Sequence, residues 1–256
     1  GSFEMKKKLL ALSLVAAMAV GVFAGCSSSE EPAETTEGTE EGAEATGEKY
    51  IIATDTVFPP FEFTNEDGDF VGIDVDIINA IAEDQGIDVE IQSLGFDAAL
   101  LAVQSGQADG VIAGMSITDE RKQSFDFSEP YFDADVTMAV AKGSDVKSYE
   151  DLAGKTVAVK TATNGADFAK SIADEYGFTV VEFKDSPTMY QDVIAGNTAA
   201  CFEDYPVMAY NIQQGAELEM PEGATAAGTQ YGFAVAKGQN AELLEKFNTG
   251  LANIKK

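Results

Sequence analysis

The sequence predicts an α/β fold made of two similar lobes that face each other across a cleft. From Tyr50 onward, short apolar strands alternate with amphipathic helices, an order typical of sheets with largely parallel strands. The same order begins again near residue 154. The two halves also resemble each other locally, since the pentapeptide AVAKG occurs at 139–143 and again at 234–238. Together these observations favour two related lobes over one large sheet.

The sequence predicts five secondary-structure elements in the first lobe. Isoleucines recur at helical spacing in the first predicted helix, which ends at Gly86, and the second helix ends at Gly106. The elements are the strand YIIATDT (50–56), the helix GIDVDIINAIAEDQG (72–86), the strand DVEIQSL (88–94), the helix FDAALLAVQSG (96–106) and the buried strand DGVIAGM (109–115).

The sequence predicts five further elements, in the same order, in the second lobe. They are the strand GKTVAVKTAT (154–163), the helix GADFAKSIADEYG (165–177), the strand FTVVEFKD (178–185), the helix PTMYQDVIAGN (187–197) and the strand TAACFED (198–204). Ligands of open α/β sheets bind outside the carboxyl ends of the strands. Two such sheets facing each other would therefore form a binding cleft.

The composition excludes several classes of function. The 256 residues include 44 acidic and 16 basic side chains, for a net charge of −28. This charge argues against a nucleic-acid partner, because phosphate neutralisation needs a basic face. The chain has no histidine and only the cysteines Cys26 and Cys201, which excludes a Ser-His-Asp triad, a histidine or thiolate metal site and a disulfide framework. We expect a monomer without metal or cofactor.

The N-terminus is typical of a processed export signal. Lysines after Met5 precede an apolar run from Leu9 to Ala24 that is short for a transmembrane helix. The run ends in Phe-Ala-Gly-Cys26, which resembles a bacterial lipobox and predicts lipidation of Cys26. The alternative is a secretory peptide that is cleaved elsewhere. The four residues before Met5 are predicted to be a cloning remnant.

An acidic segment separates this signal from the folded body. Residues 27–48 contain eight glutamates and no aromatic or large aliphatic residue, so they cannot bury enough apolar surface to offset their chain entropy. We therefore expect a scar and signal at 1–25 and a disordered tether at 26–49. Lobe 1 is predicted at 50–132 plus 230–256, and lobe 2 at 133–229.

Arg121 is an unusual residue at its position. Thr118 is a good N-cap and acidic residues follow it, but an arginine in the first turn of a helix opposes the helix dipole. One interpretation is a surface ion pair, which contributes little to stability. The other is a clamp on an anionic ligand, because a guanidinium matches a carboxylate with two parallel hydrogen bonds.

The body from about Tyr50 to Lys256 resembles the extracellular solute-binding proteins of ABC importers for polar amino acids, with the greatest resemblance to glutamine-binding proteins. Six stretches in the right order carry this resemblance: ATDTVFPPFEF (53–63), GFDAALLAVQSGQAD (95–109), AGMSITDER (113–121), FSEPYF (127–132), GKTVAVKTAT (154–163) and FEDYP (202–206). It implies a two-lobed periplasmic-binding-protein-like fold with two crossover strands, a free amino acid as ligand and an ABC permease as partner.

A free α-amino acid needs a group for each of its two charges. We expect Arg121 to bind the ligand carboxylate, with a backbone N–H of Gly114 and the hydroxyl of Ser116 adding to the same oxygens. Thr163 and Asn164 precede the helix predicted to begin at Gly165, whose free N–H groups favour negative charge.

Asp204 lies at the carboxyl end of a strand and is the expected partner of the ligand ammonium. The alternative is an N-cap of the following helix, and both roles can coexist.

The resemblance also assigns the part of the site that contacts the ligand side chain. Phe58 and Phe96 match positions whose rings enclose the ligand's aliphatic stem, although core packing is the ordinary role of phenylalanine. Asp55 and Lys160 match positions that accept from and donate to a side-chain amide. Glu203 stands where glutamine binders often have histidine, which leaves a formal excess of one negative charge around Lys160.

Glutamine is therefore the favoured ligand, while arginine and lysine stay open as alternatives. Two other functions are compatible with the scaffold: an enzyme such as a dehydratase of cyclic amino-acid precursors, and a sensor domain. We expect no catalytic activity, and a location at the extracytoplasmic face of a membrane, to which only the lipid on Cys26 would attach the protein.

Overall fold

The computed structural model describes residues 48–256 of the chain. The expected cloning remnant, signal peptide, lipidated Cys26 and nearly all of the acidic tether lie outside the described residues. Within 48–256, no helix combines the length and the apolar character that a membrane span needs.

Thirteen strands and six α-helices form in residues 48–256. The strands are β1 Lys49–Thr54, β2 Phe63–Thr64, β3 Phe70–Val71, β4 Asp88–Ser93, β5 Gly110–Val111, β6 Phe125–Phe127, β7 Phe132–Ala141, β8 Thr156–Lys160, β9 Thr179–Phe183, β10 Ala200–Asp204, β11 Leu218–Glu219, β12 Thr225–Tyr231 and β13 Ala234–Ala236. The helices are α1 Ile73–Gln85, α2 Phe96–Gln104, α3 Asn164–Tyr176, α4 Ser186–Ile194, α5 Tyr205–Gln213 and α6 Ala241–Ile254.

The first lobe is built on a sheet with the strand order β4-β1-β5-β13-β6. β1 is parallel to both β4 and β5, while β13 is antiparallel to β5 and β6. Helix α1 ends at Gly86, whose φ of 64° is the left-handed conformation that glycine adopts without strain. The buried faces of α1 and α6 pack together over this sheet around Ile78, Ile81 and Phe247.

The second lobe is built on a sheet with the order β11-β7-β10-β8-β9, and β12 pairs with β7 outside this path. β8 is parallel to β9 and β10, as the alternating strand-helix order predicts. β7 runs antiparallel to β10. Apolar side chains on both faces of the sheet form two separate core clusters, one around Phe202 and one around Met189.

Two long strands carry the chain between the lobes. β7 and β12 pair antiparallel, with Phe132 opposite Tyr231, and their register shifts between Ala226 and Thr229. The chain enters the second lobe along β7 and returns along β12 to β13 of the first sheet. Because their lengths lie side by side, these strands form the connection about which the lobes can rotate.

The helix start expected near Thr118 is smaller than predicted. Arg121–Gln123 forms one 3-10 turn, and the Thr118 hydroxyl accepts the Arg121 N–H at 3.2 Å. The capping interaction therefore forms, but the following strand β6 begins at Phe125. The helix-dipole argument consequently does not apply to Arg121, because so short a turn has no appreciable dipole.

Candidate ligand-binding site

A small cavity lies between the two lobes at the carboxyl ends of their strands. Nine of the eleven predicted binding residues line it, and the space between its wall atoms, including space open to solvent, is about 240 Å³. The lining residues are Phe58, Phe96, Ala113, Gly114, Ser116, Arg121, Lys160, Thr163, Asn164 and Asp204.

Arg121 extends from the first lobe across the cavity to the second. Its guanidinium donates to the Ser116 carbonyl at 2.7 Å and to the Ala162 carbonyl at 2.6 Å. Among the described residues it forms no ion pair, so the surface salt-bridge interpretation does not hold. Burial lowers the pKa of Arg121. A partly buried cation bonded only to carbonyl oxygens favours a carboxylate as an additional partner.

Asp204 faces the same cavity from the second lobe. It ends β10 and precedes α5, but its side chain makes no capping hydrogen bond. Instead it accepts a short hydrogen bond from the Tyr231 hydroxyl. Burial, followed by the charge of Glu203, raises the pKa of Asp204 to about 7. A ligand ammonium beside this carboxylate would favour its charged form.

At the other end of the cavity, a lysine of the wall is paired with Asp55, a predicted binding residue that is not part of the wall. Lys160 of β8 forms an ion pair with Asp55, which follows β1, and both side chains are buried. The Lys160 Nζ lies 4.4 Å from the ring centroid of Phe58 and 5.4 Å from that of Phe96. The two phenylalanines belong to apolar core clusters and also line the cavity, so both interpretations of these residues apply.

One backbone donor differs from expectation. The N–H of Gly114 donates to Asp74 at 2.7 Å, so the prediction that Gly114 supplies an N–H to the ligand is wrong in this structure. Gly114 has a φ of 52°, and a Cβ there would lie 2.7 Å from the Phe58 ring. Its role is therefore to let that ring pack against the backbone. Ser116, by contrast, is buried and lines the cavity.

The start of α3 forms the wall of the cavity in the second lobe. The Thr163 hydroxyl caps the helix by accepting the Ala166 N–H at 3.1 Å, and it donates to the Lys160 carbonyl at 2.7 Å. Ala162 has a φ of 65°, an unfavourable conformation for a residue with a Cβ. This conformation accompanies the bond from its carbonyl to Arg121.

Glu203 does not lie where the sequence prediction placed it. It is absent from the cavity wall, and its carboxylate accepts from the Ser186 and Tyr190 hydroxyls, each at 2.8 Å, and from the Asp204 N–H at 3.0 Å. Successive residues of a strand point to opposite faces, so Glu203 and Asp204 diverge. The sequence analysis placed Glu203 beside the ligand side chain, and the structure corrects this placement.

The sequence analysis did not predict two residues of the site. Ala113 contributes to the wall, and Tyr231 holds Asp204 through its hydroxyl although 27 residues separate them. Ala113 stood in a recognised stretch and could have been included. For Tyr231, only the pairing of β12 with β7 brings the hydroxyl to Asp204.

Two α/β lobes that close on one polar cavity define a two-lobed binding protein. A family model describes the class further: residues 50–256 match the bacterial extracellular solute-binding proteins, family 3, and the chain belongs to this family. The arginine-binding extracellular protein ArtP of Bacillus subtilis (strain 168) is 32% identical over 251 residues, which covers 98% of this chain and 93% of that protein.

Solved structures agree with this assignment. An ancestral arginine-binding protein bound to glutamine is 41% identical with a TM-score of 0.74, and the match covers 81% of this chain and 92% of that one. Substrate-binding domain 2 of Lactococcus lactis GlnP in an open conformation is 48% identical with a TM-score of 0.56, covering 81% and 89%.

Proposed function

We propose that this protein captures one free polar L-amino acid, glutamine by preference, and releases it unchanged. The observation that carries the proposal is the placement of Arg121 and Asp204 on opposite lobes around one small cavity. A guanidinium for the carboxylate and a carboxylate for the ammonium match a zwitterion at both ends. Since each group belongs to a different lobe, a bound zwitterion would favour the closed arrangement.

Charge balance at the Lys160 end supports glutamine as the ligand. With Asp55 paired to Lys160 and Glu203 bonded to hydroxyls, the formal excess of negative charge expected from sequence does not face the ligand. A neutral amide can donate to Asp55 and accept from Lys160. A site built for both bonds rejects an analogue that leaves one unmet, at about 1–3 kcal/mol per group.

Arginine is the second candidate ligand. ArtP and the ancestral protein are both described as arginine-binding, and the ancestral protein was solved with glutamine, so one scaffold of this family accommodates both. Asp55 is the acceptor that a guanidinium would use here. Against arginine stands the Lys160 ammonium, which would lie close to a second cation.

The proposed partner is the permease of an ABC importer, and the proposed location is the extracytoplasmic face of a membrane. Family membership supports an extracellular solute-binding role. The lipobox-like sequence at Cys26 supports lipid anchoring of a monomer, with residues 27–48 as tether. Mass spectrometry of the membrane-associated protein from its native host should find an acylated Cys26, and an unmodified N-terminus elsewhere would contradict the anchor.

Calorimetry with the twenty amino acids tests the binding proposal. We expect one molecule of glutamine per chain, with the tightest affinity in the panel, and mass spectrometry should recover the glutamine unchanged. A panel led by arginine would replace the ligand but keep the function. Conversion of the ligand would support the enzyme instead, and failure to bind any amino acid would refute the proposal.

A further inference from the structure

A glutamate in the first lobe is buried without a donor. Glu62 is fully buried, and neither of its carboxylate oxygens receives an N–H or O–H hydrogen bond among the described residues. An ionised carboxylate in such surroundings is strongly unfavourable unless it is paired and hydrogen-bonded. Nothing in the amino-acid site described above uses this side chain.

The polar group beside Glu62 is another buried carboxyl group. Asp74, in the first turn of α1, is also fully buried, and its N–H donates to the Phe61 carbonyl at 2.9 Å, which places it beside Glu62. Its own oxygens already accept two other bonds, from the Gly114 N–H and from the Tyr131 hydroxyl, each at 2.7 Å. Asp74 therefore has three donors if Glu62 supplies the third.

A hydrogen bond between two carboxyl groups requires a proton on one of them. Asp74 is the better anion, because it receives the two other donors, and Glu62 is the better acid, because it receives none. Burial and the charge of Asp74 raise the pKa of Glu62 well above its ordinary value. Burial also raises the pKa of Asp74, while its hydrogen bonds act in the opposite direction.

The pair connects three parts of the binding apparatus. Glu62 closes the turn that carries Phe58, since the Phe58 N–H donates to the Glu62 carbonyl at 2.6 Å. Asp74 holds Gly114, which lies in the cavity wall, and Tyr131, which directly precedes the crossing strand β7. One shared proton thus joins both cavity segments of the first lobe to the start of the connection between the lobes.

We propose that Glu62 and Asp74 form a proton-sharing carboxyl pair that positions Phe58 and Gly114 for the ligand, with neutral Glu62 as the donor. This inference rests on the proposed amino-acid binding, which it deepens by adding two positioning residues that do not touch the ligand. Loss of the proton would put two charges side by side in the core. The turn with Phe58 would then separate from Asp74, and ligand affinity would fall.

The charged and titratable groups around Glu62 come from four elements. They are Asp74 of α1, Asp55 after β1, Lys160 of β8 and Tyr131 before β7. Lys160 is already paired with Asp55, so it does not neutralise Glu62. The two aspartates oppose ionisation of Glu62, and among these groups only Lys160 favours it.

Infrared spectroscopy tests the shared proton without any ligand. At about pH 8, where ordinary carboxyl groups are ionised, the wild-type protein should show a protonated-acid carbonyl band that disappears in Glu62→Gln. Glu66→Gln, on the exposed turn between β2 and β3, is the matched control and should keep the band. Equal spectra for wild type and Glu62→Gln would overturn the proposal.

Calorimetry with glutamine, or whichever amino acid binds best to the wild type, tests the positioning role. Glu62→Gln keeps a neutral donor and should bind within about threefold of wild type at neutral pH. Glu62→Met removes the donor and should bind at least about tenfold more weakly. At alkaline pH the ligand's own ammonium loses its proton, which weakens binding equally in all variants. If affinity falls more steeply with rising pH in the wild type than in Glu62→Gln, the additional loss is due to ionisation of Glu62.

Each outcome decides the inference separately from the proposed function. Wild-type affinity in Glu62→Met, or equally poor binding by folded Glu62→Gln and Glu62→Met, would overturn the positioning role while amino-acid binding by the wild type stands. If the wild type binds no amino acid, the proposed function fails, and the infrared result still decides whether the proton is shared.

Discussion

Each end of the cavity has a cation and an anion in or next to its wall, but the two ends arrange them differently. At one end, Arg121 and Asp204 come from opposite lobes and bond only to carbonyl or hydroxyl oxygens of the protein. At the other end, Lys160 and Asp55 are bonded directly to each other. The first end therefore has charges for a ligand to neutralise, and the second end does not.

This difference explains how one site can combine general recognition with selectivity. Every α-amino acid offers the carboxylate and ammonium that complement the first end. In the proposed function, a side chain with a donor and an acceptor, and without net charge, suits the second end best. Changes at Arg121 or Asp204 should therefore affect all amino acids, whereas changes at Lys160 should alter their ranking.

The largest effect is expected from Arg121→Ala. Truncating one member of a desolvated charge pair costs about 2–5 kcal/mol, which is roughly 30-fold to several thousand-fold in affinity. Calorimetry should show this loss for glutamine and arginine alike, with circular dichroism reporting a folded protein. The exposed neighbour Lys122→Ala is the control and should bind normally. Retained binding in Arg121→Ala would refute the carboxylate assignment.

The second effect concerns pH and Asp204. Because the pKa of Asp204 is raised to about 7, the carboxylate gains a proton as the pH falls through 7, and glutamine affinity should then decrease by up to about tenfold per pH unit. In the ligand-free protein the same raised pKa means that the group favours the folded state below about pH 4 and loses that contribution as pH rises through 7.

Asp204→Asn should remove this pH dependence and bind weakly at every pH, as calorimetry from about pH 5 to 8 would measure. The exposed Asp174→Asn in α3 is the matched control, with wild-type behaviour expected. A flat profile in the wild-type protein would argue against Asp204 as the ammonium partner.

The third effect separates the two ends of the cavity. Lys160→Met leaves Asp55 as an unpaired buried carboxylate that attracts a cationic side chain. Glutamine affinity should fall about tenfold and arginine affinity should fall less or rise, which a competition assay with both ligands would measure. Lys170→Met on the surface of α3 should leave the ranking unchanged. An equal loss for both ligands would mean that Lys160 does not select the side chain.

The smallest effect is expected at Ala162. Its left-handed backbone costs roughly 1–2 kcal/mol, and glycine relieves this at an entropic cost of about 0.4–1 kcal/mol. Ala162→Gly should therefore stabilise the protein by up to about 1 kcal/mol in urea unfolding, with ligand affinity nearly unchanged. Ala173→Gly inside α3 should instead destabilise by at least about 0.5 kcal/mol. Destabilisation in Ala162→Gly would show that the turn is not strained.

The sequence predicted most elements because their signals are local. The periodicity of α1, its stop at Gly86 and the apolar strands β1, β8 and β10 each depend on neighbours a few residues away. The sequence predicted a longer helix at Arg121 than the single turn that forms, because a good N-cap does not reveal how soon the following strand β6 begins. Such an end point depends on pairing with β13, which is distant in the chain.

The predicted site divides in the same way. The sequence showed which residue types lie at the strand ends, and nine of the eleven predicted binding residues line one cavity. The direction of Glu203 was not, because it depends on the hydroxyls of Ser186 and Tyr190, which α4 supplies. The use of the Gly114 N–H by Asp74 likewise required the packing of α1 against that segment.

The amino-acid sequence by itself determined the two-lobed α/β architecture and the chemical groups that reach the cleft, because periodicity, caps and strand ends are set by short-range interactions. The tertiary structure alone decided which of those groups neutralise each other and which stay available. The ion pair of Lys160 with Asp55 joins residues 105 positions apart, and Glu62 comes beside Asp74 only because the turn after Phe58 bonds to the start of α1. Charge state and orientation in a buried site depend on such distant neighbours, since desolvation and hydrogen-bond donors act through space rather than along the chain.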